Sequence, residues 1–139
     1  MIVIVPCGDI KASHTTTAEH MYIGKYHKFA MRYARTVAPR ENVYILSAKH
    51  GLMTLDTIIE PYDLKMGDLG SIGAYTIRQQ AIQFNILNES VIALGGKRYS
   101  LMVKYVWPSA QTPLIGLSMT KHYTWFYEQI QRSKSSGRH

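Results

Sequence analysis

The chain has 139 residues, 46% of them hydrophobic, and carries 16 Lys and Arg against 9 Asp and Glu, a formal charge of +7. That length supports one soluble domain with its own core. The basic balance favours polyanionic partners, DNA or a nucleotide ligand, over acidic ones, although basic small proteins that bind nothing acidic are common. A single cysteine, Cys7, excludes an intramolecular disulfide and a multi-cysteine zinc site. It points to a reducing interior, and the apolar start 1–6 is too short for a signal sequence or a membrane span. A cytoplasmic protein with no membrane contact is therefore expected.

Taken in chain order, the β-branched run 2–5 reads as a buried first strand, ended by Pro6, Cys7 and Gly8. A polar loop leads to Thr17, which is expected to cap a helix from Ala18 to about Val37. Met21, Tyr22, Tyr26, Phe29, Ala30 and Tyr33 recur along it at three- and four-residue spacing. Gly24 inside that helix would cost about 1 kcal/mol relative to Ala, which suits a point of close packing. Residues 43–46 form the second strand. The stretch 52–73 has no clean period, carries Pro61, Gly67, Gly70 and Gly73, and reads as a long functional loop. A helix follows over 74–87 and a third strand over 90–94, closed by Gly95 and Gly96. The spacing then predicts a helix over 99–106, a short fourth strand over 113–116, and a last helix from 118 or 119 to about 131. The aromatic group Tyr123, Trp125, Phe126 and Tyr127 would pack that helix on the sheet. Residues 1–132 form the domain, and 133–139 read as a flexible basic tail. Strands alternating with helices imply βαβ units: a single three-layer α/β domain with a small, mostly parallel sheet of about four strands flanked by helices.

Ligands of open α/β sheets bind outside the carboxyl ends of the strands. Three glycine-containing turns fall there: Cys7-Gly8, residues 47–51, and Gly95-Gly96. The central one delivers the Ser47 hydroxyl, the Lys49 ammonium and the His50 imidazole together. His50 is the leading acid–base candidate, because an imidazole titrates near neutral pH; the competing reading is a turn histidine. Glu60 and Asp63 flank Tyr62, and a carboxylate there could activate water or steady a sugar cation. The bland alternative is a proline turn with the tyrosine plugged into the core. Lys49, Lys97 and backbone amides at Gly8, Gly51, Gly95 and Gly96 could hold a phosphate. Ser47 reads as a ligand contact or a cap, since no Gly-x-Ser-x-Gly elbow supports a nucleophile. Cys7 would line the ligand, and Tyr22 or Tyr62 would stack on a base. Six histidines offer no known ligand spacing, so neither metal nor cofactor is expected.

Several of these residues recur in a known pattern. Cys7-Gly8 with Lys11, Ala18-Glu-x-Met-Tyr-x-Gly24, Ile45-Leu-Ser-Ala-Lys-His-Gly51, Glu60-Pro-Tyr-Asp63 and Thr112-Pro-Leu-x-Gly116 stand in order. Together they resemble a family of small phage and actinobacterial domains of unknown function. The segment 47–67 is also similar to the YaaA peroxide-stress proteins, larger DNA-binding proteins with an α/β core. The resemblance adds Lys11 to the ligand-binding set and implies a nucleic-acid or nucleobase context. It leaves the reaction open. The resulting expectation is an enzyme acting on a nucleotide or a DNA base, cleaving or exchanging an N-glycosidic bond in a manner like a DNA glycosylase or a nucleoside hydrolase or transferase, in phage modified-base metabolism. The alternative is a non-catalytic nucleic-acid or nucleotide-binding accessory protein.

Overall fold

The computed structural model describes residues 1–136. In chain order the elements are β1 (Ile2–Pro6), β2 (Thr16–Thr17), α1 (Ala18–Met21), α2 (Lys25–Val37), β3 (Val43–Ser47), β4 (Gly51–Thr54), β5 (Ile58–Ile59), α3 (Ala74–Gln83), β6 (Val91–Ala93), α4 (Lys97–Val106) and α5 (Met119–Ser136). The main sheet runs β4-β3-β1-β6, with β1 parallel to both β3 and β6 and β4 antiparallel to β3. All five residues of β1 and of β3 are buried, as strands covered on both faces must be. Val3, Val5 and Ile45 pack with Ala30, Met31 and Ala34 of α2 and Phe126 of α5. Ile4 and Leu46, on the other face, pack with Ile77 and Ala81 of α3 and Val103 of α4. The expected three layers are present.

Several elements depart from the sequence expectation. The helix expected over 18–37 is two helices, because backbone pairing with residues 10–12 interrupts it. Ala12 N–H donates to Met21 O (2.7 Å) and Ile23 N–H to Ile10 O (3.0 Å). Gly24 is therefore the extended N-cap of α2 and escapes the helix-interior penalty. The fourth strand is β4, within the segment expected to be loop. Gly51 takes φ +73, the left-handed conformation that lets a three-residue turn reverse the chain into a hairpin. Residues 113–116 form turns instead, and Gln111 makes only an isolated bridge to Ile92. β2 and β5 pair as a separate two-stranded sheet. Residues 133–136 of the expected tail are helical, and 137–139 lie outside the described residues. Of the late aromatics, Phe126 and Trp125 pack edge-on against Tyr26 and Tyr33, while Tyr127 is exposed. Among the described residues, no helix is long and apolar enough to cross a membrane.

Candidate functional site

The three glycine-containing turns meet at the carboxyl edge of the parallel strands. Cys7 N–H donates to Leu46 O (3.0 Å), tying the end of β1 to β3. Cys7 Sγ lies 3.0 Å from the Tyr99 hydroxyl of α4, tying it to the turn after β6. Gly95 has φ +108, and a Cβ there would sit 2.9 Å from Pro6 Cγ, so only glycine lets these two strand ends touch. Between them is a cleft of about 360 Å³ bordered by Cys7, Asp9, Gly95, Gly96, Tyr99 and His122. Gly96 is the N-cap of α4 and no side chain caps that helix, so its first-turn amides face the edge without a side-chain acceptor.

Beside the cleft runs a chain of hydroxyls, and counting fixes its direction at Ser47. A hydroxyl has one hydrogen and two lone pairs. Ser47 Oγ accepts from Lys49 N–H (3.1 Å) and His50 N–H (3.0 Å). Its own hydrogen therefore goes to the Tyr62 hydroxyl, 2.7 Å away. The Tyr62 and Tyr22 hydroxyls are hydrogen-bonded at 2.6 Å, and because Tyr62 keeps a second lone pair either oxygen can be the donor. Of the two phenolic hydrogens in that pair, one makes this bond and the other is left with no protein acceptor among the described residues. Burial pushes the Tyr22 phenol up to about 12 and raises Tyr62 and Tyr99 as well, so the chain stays protonated at neutral pH. Lys11 Nζ stands 4.6 Å from the centre of the Tyr62 ring, and Lys49 Nζ stands 5.9 Å from it. The His50 ring meets Tyr62 edge-on at 5.5 Å. Burial and, after it, the Lys49 charge hold the His50 pKa below its ordinary value, so the imidazole is neutral at pH 7. Its Nε2 is buried and unpartnered.

The turn that carries these groups is clamped from α3. Gln80 Nε2 donates to His50 O and Gln80 Oε1 accepts from Leu52 N–H, both at 2.8 Å. A Cβ on Gly51 would run into the Gln80 carboxamide. At roughly 1 kcal/mol per hydrogen bond, Gln80→Ala is expected to lower stability by about 2 kcal/mol in chemical denaturation. A loss below about 0.5 kcal/mol would show that the clamp is not needed.

A family model described as a family of unknown function (DUF6884) matches residues 2–128. The chain belongs to that family. No curated protein and no solved structure matches it. The DUF6884 match covers every element from β1 into α5, and hence every site residue named above.

In this DUF6884 chain the sequence-predicted residues fall into two groups. Cys7, Lys11, Tyr22, Ser47, Lys49, His50 and Tyr62 come together, with Gly8, Gly51, Gly95 and Gly96 supplying backbone around them. Tyr22 is only 2% exposed, so its ring cannot stack on a base. Glu60 and Asp63 are exposed, and neither makes a hydrogen bond or ion pair among the described residues. Lys97 is exposed at the first position of α4. Sequence reasoning missed Gln80 and Tyr99. Gln80 lies 28 residues from Leu52 and Tyr99 lies 92 from Cys7, and no local pattern marks either. Among the described residues, no three of His, Cys, Asp and Glu gather as metal ligands.

Proposed function

We propose that this protein binds a nucleotide, free or within a nucleic acid, at the carboxyl edge of its sheet and cleaves or exchanges the N-glycosidic bond. The observation that carries this reading is the convergence of donors. Lys11, Lys49 and the spare phenolic hydrogen of the Tyr22–Tyr62 pair gather around Tyr62, beside the uncapped start of α4. Such a surface suits a ligand rich in acceptors, as phosphates and base carbonyls are. The +7 charge and the likeness of 47–67 to the YaaA proteins support a nucleic-acid setting, which we assign to the cytoplasm of a bacterial or phage-infected cell and to modified-base metabolism.

In the proposed reaction the bond from the sugar C1′ to the base nitrogen breaks. Asp63 or Glu60 takes a proton from the water whose oxygen joins C1′, and the base leaves with the bonding pair and takes its proton from solvent. His50, neutral at pH 7, holds the departing base by a hydrogen bond. In transfer, a second base takes the place of water. The exposed, unpartnered carboxylates also suit the alternative reading, a binder without chemistry.

The test is to incubate the protein with plain DNA, base-modified DNA and a nucleotide panel and to follow released base and abasic sites by mass spectrometry. Release is expected from the wild type and not from His50→Ala or Asp63→Asn. It should decline as the pH is lowered below the ordinary histidine value of about 6.5, because the active form of His50 is the neutral one. Retained nucleotide with no released base would replace the enzyme by the binder.

A further inference from the structure

Along α4, away from the strand edge, lies a groove of about 440 Å³ lined by Met66, Arg98, Leu101, Met102 and Tyr105. Tyr105 is 80% exposed and Leu101 42%, while Tyr75 on the adjoining α3 is 77% exposed. Apolar side chains grouped in a groove with polar residues at its rim are a feature of binding surfaces. Its charge is one-sided. The sequences of α3 and α4 contain no acidic residue, and Arg78, Lys97, Arg98 and Lys104 are all exposed on them. Asp68, in the bordering loop, accepts the Lys65 backbone N–H at 3.0 Å.

We propose that this groove is a track for single-stranded nucleic acid, which threads along α4 into the strand-edge site. The proposal rests on the nucleotide reading of that site and names its substrate as a strand, not a free nucleotide. Bases of a single strand stack on exposed aromatic rings while cations follow the phosphates, and here the exposed Tyr105 and Arg98 line the groove, with Tyr75, Lys97 and Lys104 exposed on the same two helices. A duplex keeps its bases stacked inside and cannot use the tyrosines in this way. A second copy of the chain would bring Lys97, Arg98 and Lys104 against like charges. The track and the site both lie against α4. Arg98 Nη1 donates to Met66 O at 3.1 Å, four residues beyond Tyr62, and Gly96 and Tyr99 of the same helix border the cleft. From Lys97 to Tyr105 the helix covers about 12 Å.

The experiment is fluorescence anisotropy with fluorescein-labelled single strands of DNA and RNA about twelve nucleotides long, a duplex of the same sequence, and a labelled mononucleotide. The single strands are expected to bind at least about ten-fold more tightly than the duplex or the mononucleotide. Tyr105→Ala should weaken them about ten-fold, as loss of one stacked base does. Lys104→Gln should lower the slope of log affinity against log salt by about 0.7. Tyr127→Ala, which removes a ring 60% exposed on α5, should change nothing. All three positions are exposed, so unchanged thermal melts are expected. Single-strand binding that ignores Tyr105 and Lys104 overturns the track, and so does a Tyr105-dependent dimer in sedimentation. If mononucleotide binding nevertheless falls in Lys11→Ala, the edge site survives without its track. If Tyr105-dependent strand binding occurs with no base release, the track stands and the glycosidic reaction falls.

Discussion

Ser47→Ala is expected to destabilise the protein by about 3 kcal/mol and to abolish nucleotide retention at the strand edge. Ser47 is fully buried, and its hydroxyl makes three hydrogen bonds, to Lys49 N–H, His50 N–H and Tyr62. At roughly 1 kcal/mol each, with more when an amide loses its acceptor away from water, the sum reaches that size. The functional consequence comes from position. Ser47 joins the two turn amides to the Tyr62 phenol, so it holds the spare phenolic hydrogen of the Tyr22–Tyr62 pair beside the Lys49 and His50 side chains. Without the serine the turn and the phenol pair lose their common anchor. Tyr62→Phe should weaken binding less and cost less stability, because Tyr22 keeps a hydrogen and the two turn amides keep their acceptor. Urea unfolding combined with nucleotide binding on both variants checks this. Unchanged binding in Ser47→Ala would show that the serine does not position the site.

Acid should remove a comparable amount of stability through a single buried imidazole. His27 is 3% exposed, and its Nδ1 lies 3.3 Å from the Pro6 carbonyl. A carbonyl only accepts, so Nδ1 carries the hydrogen and Nε2 is a bare lone pair, buried without a partner. Protonating it would bury a charge. Burial accordingly pulls the His27 pKa down to about 4, opposed in part by the Pro6 carbonyl and assisted by the Arg35 charge. In the unfolded chain the same ring titrates near 6.5. Between those values the unfolded state binds more protons, so native stability is complete above about pH 6.5 and falls as the pH drops toward 4. The separation corresponds to a loss of about 3 kcal/mol. His50 and His122, whose pKa values burial also lowers, add in the same direction. Glu19, held low chiefly by its hydrogen bond from Arg40, stays ionised through most of that window. Urea unfolding between pH 7.5 and 4 should show the decline, and His27→Gln should flatten most of it. An equally steep decline in the variant would assign the acid sensitivity elsewhere.

What the sequence revealed and what it hid follow from the range of the interactions. The apolar runs of β1, β3 and β6 are intrinsic to their segments, and with them came the sheet, its parallel core and the edge where Ser47, Lys49 and His50 lie. The break at 22–24 was invisible because its cause is a backbone pairing with residues 10–12, which helical periodicity does not register. β4 was hidden because Gly51 reads equally well as a loop glycine and as the left-handed residue of a hairpin. The carboxylates illustrate a third limit. Burial alternates along 61–65, with Tyr62 and Leu64 partly covered and Pro61, Asp63 and Lys65 exposed. Neighbours in sequence can thus stand on opposite sides of an extended segment, and adjacency to Tyr62 does not bring Asp63 into the hydroxyl chain.

The hairpin also has a consequence for how the molecule assembles. β3 and β4 are joined by three residues, whereas β1 must find β6 across a register that pairs Val3 with Ile92. Closing the short turn takes microseconds, while long-range parallel pairing waits on a costly loop closure. The segment bearing Ser47, Lys49 and His50 can therefore acquire its shape as a local nucleus, and the remaining strands condense onto a turn that is already made.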